Sequence, residues 1–220
     1  MTAAAITLAY DDSRCHQLES NMSRWEPHTR ARLEEAALEL YGERGFDRTT
    51  VAEIAERAGL TERTFFRHFA DKREVLFSGG QFLTDLLART AAETPDSASP
   101  IVVAAAALDA VAVSLQDRHD FARKRARIIE ATPELREREL IKLDSMAAVL
   151  AVTLAERGVA KPAASLVAEV AIAVLRNAFQ QWVEEANQSA LPELIRESLG
   201  ELKALTNEMP SLLSNVTARG

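Results

Sequence analysis

Only one cysteine, Cys15, occurs in 220 residues, which excludes an internal disulfide and leaves no thiol cluster for a metal. The four histidines, His16, His28, His68 and His119, are too scattered to form a recognisable ligand motif. No glycine-rich phosphate loop, nucleophile elbow or His/Cys cluster is present, so neither enzyme chemistry nor a cofactor or metal is expected. No apolar run approaches the roughly 20 residues of a membrane span, and the first residues lack the positive start and apolar core of a secretion signal. A cytoplasmic location without membrane contact is the expectation. Positive charge is also short: 26 Lys and Arg face 33 Asp and Glu, a net charge of −7, which excludes a strongly basic, non-specific nucleic-acid binder. Aromatics make up 5% of the chain and no stretch alternates apolar with polar residues as a strand would.

What is abundant is helix-forming: alanine, leucine and long charged side chains, read here as an all-α fold of about nine helices. The most informative segment runs from Thr49 to Leu76. Thr50 followed by Glu53 forms a reciprocal capping box, and Val51, Ile54, Ala55 and Ala58 make the buried stripe of a short helix. Gly59 can take the left-handed turn that ends it, with Leu60 behind, and Thr61 caps the next helix. There Phe65 and Phe69, four apart, share one face, while Arg63 and Arg67 point the opposite way. Asp71 and Glu74 form another capping box beside Lys72 and Arg73. This layout is a helix-turn-helix with an arginine-bearing second helix suited to the major groove. Residues 24 to 73 hold ten Lys/Arg and ten Asp/Glu, net zero, so the acidic excess lies elsewhere in the chain.

The segment resembles the DNA-binding domain of TetR-family transcriptional regulators through Leu33, Ala37, Tyr41, Gly45-Phe46, Thr49-Thr50, Ile54-Ala55, Ala58-Gly59, Thr64-Phe65-Phe66, His68-Phe69 and Lys72. The resemblance implies that Glu62, Arg63, Thr64 and Phe66 face base edges of double-stranded DNA, and that Thr49, Thr50, His68 and Lys72 hold phosphates. Arg67 is either a further phosphate contact or a solvated charge. Phe66 departs from the family's frequent tyrosine, so its contact is apolar. A basic N-terminal arm serves many relatives, and Arg24, Arg30 and Arg32 are placed to do so here. The implied organisation is a flexible extension over residues 1–24 with Met22 as an alternative start, a DNA-binding domain over 25–75, a helical ligand-binding and dimerisation domain over 76–207, and a loose tail over 208–220.

Beyond Leu76 the pattern predicts a helix from Asp71 towards Thr90, loosened at Gly79-Gly80, then helices over 101–116, 120–131, 134–157, 162–186 and 192–207, punctuated by Pro133, Gly158, Pro162 and Pro192. Between Val167 and Val183 the apolar positions cover roughly 220° of the helix, more than one core requires. The resemblance implies a homodimer through the final two helices, with Val167, Val174, Trp182, Leu194, Ile195, Leu199 and Leu202 at the interface; the alternative is a helix central to its own core. It further implies a repressor bound to a palindromic operator and released by a small-molecule effector, hydrophobic or acyl in type, in a pocket lined by Phe121, Met146 and Phe179. The run from Phe121 to Arg136 is similar to relatives with an acyl-CoA-type ligand domain, which would set Arg123, Lys124, Arg125 and Arg127 against CoA phosphates; a solvated basic face balanced by Glu134, Glu137 and Glu139 is the alternative. A related fold that has lost operator binding is the rival function, an all-helical enzyme the more distant one.

Overall fold

The computed structural model describes the backbone of residues 13–217 and the side chains of residues 28–207. Residues 1–12 and 218–220, parts of the expected extension and tail, lie outside the described residues. Among the described residues there is no strand, and ten α-helices follow in order: α1 Ser13–Arg44, α2 Val51–Arg57, α3 Glu62–His68, α4 Glu74–Phe77, α5 Gly80–Glu93, α6 Pro100–Leu115, α7 His119–Ala131, α8 Pro133–Glu156, α9 Lys161–Trp182 and α10 Leu191–Thr217, with a 3-10 turn at Gln116–Arg118. Three boundaries differ from the sequence reading. Helix α1 begins at Ser13 and so includes residues 13–24 of the expected extension. The helix expected from Asp71 to Thr90 is two, because the chain breaks at Ser78-Gly79 before α5 starts at Gly80. The tail expected from residue 208 continues α10 as far as Thr217.

The chain divides into a unit ending at Val75 and one starting at Leu76. In the first, Leu33, Ala37, Leu40 and Tyr41 of α1, Ile54 and Ala55 of α2, and Phe65 and Phe69 at α3 are all buried, with α2 packed against both α1 and α3. Helix α1 stops where Gly45, at φ +85°, turns the chain, and Phe46 folds back under Tyr41 with ring centroids 5.2 Å apart.

In the second unit the core is drawn from α5, α6, α8, α9 and α10, with Leu87, Leu108, Leu150, Leu154 and Trp182 all essentially inaccessible. Helix α9 presents Ala164, Ala168, Ala171 and Ala178 inward, small side chains that let it lie close against α8. By length and composition the stretch 100–131 and α9 match a membrane span, which corrects the reading that no apolar run comes near one. Both are core helices here, contributing buried Val103, Ala107 and Val111 and buried Ile172, Leu175 and Trp182 respectively.

Candidate nucleic-acid interface

Each end of α2 is built by its own residues. The Thr50 hydroxyl accepts from the Glu53 amide at 3.3 Å, and the Thr50 amide donates to Glu53 Oε2 at 2.9 Å. The Glu53 carboxyl is held below its ordinary range, chiefly by the Thr50 amide, then by the Thr50 hydroxyl and by Arg44, which donates to Oε1 at 2.6 Å. At the other end the Leu60 amide donates to the Ala55 carbonyl at 2.8 Å and the Gly59 amide to Glu56 at 2.9 Å, the paired closure that requires a left-handed residue between them. Gly59 supplies it at φ +65°. Arg32 on α1 donates to the Ala58 carbonyl of the same turn, and Arg57 pairs with Glu39 at 3.1 Å and Glu43 at 3.0 Å. Thus α1 grips the turn from outside. Arg32, Glu39, Arg57, Ala58 and Gly59 line an open groove of about 330 Å³ with Glu35 and Ala36, a charged surface rather than an apolar effector pocket.

Thr61 then caps α3 by accepting from the Thr64 amide at 3.2 Å. Phe65 and Phe69 are buried with centroids 5.4 Å apart, so the opposite arc is turned outward. Glu62, Arg63, Phe66 and Arg67 are exposed along it, Phe66 at 55%, edge-on to Phe65. The side chains of Glu62, Arg63 and Arg67 form no ion pair or hydrogen bond among the described residues, which leaves a carboxylate and two guanidinium forks available to an incoming surface. Thr64 is half-buried, its hydroxyl 3.0 Å from that of Thr61, and His68 is half-buried beside Phe69.

The expected phosphate residues are placed less uniformly. Thr50 is exposed but its hydroxyl also donates to Glu53 Oε2 at 2.9 Å. Thr49 is 1% exposed and its hydroxyl donates inward to the Gly45 carbonyl at 2.9 Å, so its side chain does not reach the surface, a correction that follows from a buried hydroxyl's need for a partner. The Lys72 ammonium is turned back onto the carbonyls of Phe46, at 2.9 Å, and Thr49, at 3.0 Å. The arm residues are likewise engaged: Arg30 pairs with Glu34 at 3.3 Å and lies 5.4 Å from the Phe69 ring centroid, and Arg32 holds the turn. Asp71 caps α4 through the amides of Arg73, at 2.8 Å, and Glu74, at 3.0 Å. Partial burial raises its carboxyl, but the Arg73 guanidinium and these two amides outweigh that and hold it low.

In the second unit, three expected interface residues, Trp182, Leu194 and Ile195, are at most 6% exposed, and Val174 is 7% exposed, because they fill their own core. Val167, Leu199 and Leu202 are partly buried at its edge. The face of α9 that stays open carries Leu166, at 66% exposure, with Ala173 and Asn177, and half-buried Val170 among them. Of the expected pocket residues Met146 is packed into the core at 1% exposure; Phe121 and Phe179 are half-buried, the one 4.1 Å from the Arg118 guanidinium, the other 5.7 Å from Trp182. The basic run splits. Arg125 is 8% exposed and bound to Glu139, so it is a structural cation; Arg127 is exposed and reaches Glu185 at 3.4 Å; Lys124 is exposed. Sequence reasoning missed Arg32 and Arg125 as internal ties. A signal existed for the second, since Arg125 sits within the stripe Ala122, Arg125, Ile128, Ile129 that buries α7.

A capped helix-turn-helix with exposed arginines on its second helix, followed by an all-helical unit, is the architecture of a helix-turn-helix transcriptional regulator. The family model for bacterial regulatory proteins of the tetR family matches residues 33–78, and that of the MftR C-terminal domain matches residues 98–207, half of the chain. The chain belongs to the TetR family, with a C-terminal domain of the MftR type. It is 33% identical to the HTH-type transcriptional regulator TcmR of Streptomyces glaucescens over 135 residues, which span 59% of this chain and 60% of TcmR. It is 28% identical to the mycofactocin biosynthesis transcriptional regulator MftR of Mycobacterium tuberculosis over 83% of this chain and 91% of that one. A TetR-family transcriptional regulator structure from Syntrophomonas wolfei shares the fold, with a TM-score of 0.62 at 16% identity over 82% of this chain and 95% of that one.

Proposed function

We propose that the chain is a repressor that binds a palindromic operator as a homodimer and is released by a small molecule. The observation that carries the DNA reading is the outer arc of α3, where Glu62, Arg63, Phe66 and Arg67 stand exposed opposite the buried Phe65 and Phe69. Arg63 is suited to the O6 and N7 of guanine, Glu62 to the N4 of cytosine and Phe66 to a thymine methyl; Thr64 lies on the flank of this arc. Arg67, His68 and Thr50 are the phosphate contacts of this reading. The site of action is the cytoplasm.

The dimer is assigned to the open face of α9. Leu166, Val170, Ala173 and Asn177 follow one another at four, three and four residues, a narrow seam of apolar and small side chains. This moves the contact one face round from the buried Val174 and Trp182. Two readers held a helical turn or so apart recognise a palindrome jointly, and an effector that favours another spacing releases them; near-complete release requires a preference on the order of 5 kcal/mol. The effector is assigned as hydrophobic, entering beside the half-buried Phe121 and Phe179. An acyl-CoA is the acyl version of that assignment, and calorimetric titration with acyl-CoAs tests it, with Arg123→Ala and Arg127→Ala expected to weaken any binding.

Footprinting upstream of the chain's own gene tests the whole proposal. A palindromic protected site whose affinity falls steeply with salt is the expected result; absence of any protected site sinks it.

A further inference from the structure

We propose that Lys72 is a positioning residue for the DNA reader and not one of its phosphate contacts, an inference that rests on the DNA-binding reading above. A lysine ammonium has three N–H donors and no acceptor. Here three carbonyls surround it: Phe46 at 2.9 Å, Thr49 at 3.0 Å and, longer, Asp47 at 3.4 Å. The Phe46 ring covers the remaining approach, its centroid 4.3 Å from Nζ. No donor is left over for a phosphate oxygen. To reach one, the ammonium would have to leave two partly buried carbonyls without a partner.

What the ammonium does hold is the turn from Phe46 to Thr49, and the next residue, Thr50, is the cap of α2. The opposite end of the same residue is tied as well: the Tyr41 hydroxyl of α1, from a side chain 3% exposed, donates to the Lys72 carbonyl at 2.6 Å. Burial, with a smaller effect of the Asp71 charge, pushes that phenol well up, so it remains a donor across the working pH range. Lys72 therefore bridges the entrance of α2 and the exit of α3, and Tyr41 fixes the bridge to α1. Loss of the bridge lets α3 change its angle in the groove without removing any charge that faces DNA.

The two roles differ in their salt dependence. A phosphate contact releases counterions on every sequence, so losing it lowers the slope of log affinity against log salt by about 0.9 and weakens all DNA alike. A positioning residue acts only where geometry matters. The experiment uses the full-length chain with Lys72→Met, which keeps the stem, and Tyr41→Phe, which removes the bridge from the side with no charge; Arg67→Ala is the control for an exposed cation. Binding to the fragment upstream of its own gene and to a scrambled fragment of equal length is followed against salt, at temperatures where circular dichroism shows each variant folded. Lys72→Met is expected to lose about tenfold on the upstream fragment, the scale of one charge-assisted hydrogen bond, with affinity and slope on the scrambled fragment unchanged. Tyr41→Phe is expected to show the same pattern at smaller size. A lower slope on scrambled DNA for Lys72→Met overturns the proposal in favour of phosphate contact. A lowered Tm with both affinities intact overturns it in favour of a purely structural role. Wild-type chain that does not distinguish the two fragments overturns the DNA-reader reading itself.

Discussion

Arg125 on α7 grips Glu139 on α8 with both arms of its guanidinium, Nη1 to Oε1 at 3.2 Å and Nη2 to Oε2 at 2.5 Å, while its Nε donates to the Leu76 carbonyl at 2.6 Å. The Phe77 ring centroid is 5.1 Å from this cation and 5.0 Å from the guanidinium of Arg138. A pair of this kind gains little over an apolar one, yet breaking it leaves the largely buried Glu139 carboxylate with only Lys142, at 3.6 Å, beside it. Arg125→Met is expected to cost about 3–5 kcal/mol in urea unfolding. Arg125→Met with Glu139→Leu is expected to cost less than Arg125→Met alone, and a double variant that is simply additive would show that the two charges do not act together.

Acid should find the same pair. Burial raises the Glu139 carboxyl, but the charges of Arg125 and Lys142 outweigh that and hold it below the ordinary range. A carboxyl whose folded value is depressed stabilises above the unfolded value, about 4.3, and that contribution is lost as pH falls through the lower folded value. Tm measured from pH 6 to pH 3 is expected to drop chiefly below about pH 4, and the drop is expected to be shallower in Glu139→Gln.

Two glycines separate backbone strain from crowding. Gly59 and Gly158 both have positive φ, +65° and +89°, so alanine at either is expected to cost about 1–2 kcal/mol. A side chain at 158 meets open space, whereas a Cβ at 59 would stand 2.9 Å from Arg32 Nη2, which is engaged with the Ala58 carbonyl. Gly59→Ala should cost more than Gly158→Ala by about 0.5–1.5 kcal/mol, the net worth of that hydrogen bond. Introducing Arg32→Ala beforehand is expected to erase the difference.

Side chains on the outer arc of α3 should matter to DNA and not to folding. Phe66→Ala is expected to change stability by no more than about 0.5 kcal/mol, since Phe66 is 55% exposed, while weakening operator binding. Arg63→Ala is expected to cost about 1–3 kcal/mol at one base position per half-site. Uniform loss on every sequence from Arg63→Ala would remove it from the base readers.

The seam on α9 predicts an oligomeric readout. Ala173→Glu and Leu166→Glu place a charge on exposed positions, so the fold should survive, and sedimentation is expected to report dimers for the parent chain and monomers for these variants. The same change at Trp182 would unfold the unit, because that side chain is 1% exposed.

The DNA-binding unit was readable from sequence because its signals are local: a Thr-Glu box, a turn glycine and two phenylalanines four apart all lie within a few residues of what they stabilise. The helices of the second unit were readable for the same reason, except at Gly79-Gly80, which reads equally as a kink or a break, and at the far end of α10, which continues past residue 207 to Thr217. Long-range partners were not. Nothing near Lys72 announces that the chain returns it to carbonyls 23 to 26 residues earlier, and Thr49 reads as a surface threonine until Gly45 and Leu40 close over it. Periodicity counts the apolar positions of α9 but does not say which arc its own core fills, so it leaves Val174 and Trp182 open between the interface the resemblance implies and the core that buries them.

His119 opens α7 at the carbonyl end of α9, with Nε2 2.8 Å from the Trp182 oxygen and the two rings 4.7 Å apart. A carbonyl can only accept, so the hydrogen lies on Nε2, and in the neutral ring Nδ1 carries the lone pair. Nitrogen chemical shifts would therefore report one imidazole tautomer rather than an exchanging mixture, making this ring a built-in spectroscopic marker of whether α7 is docked on α9.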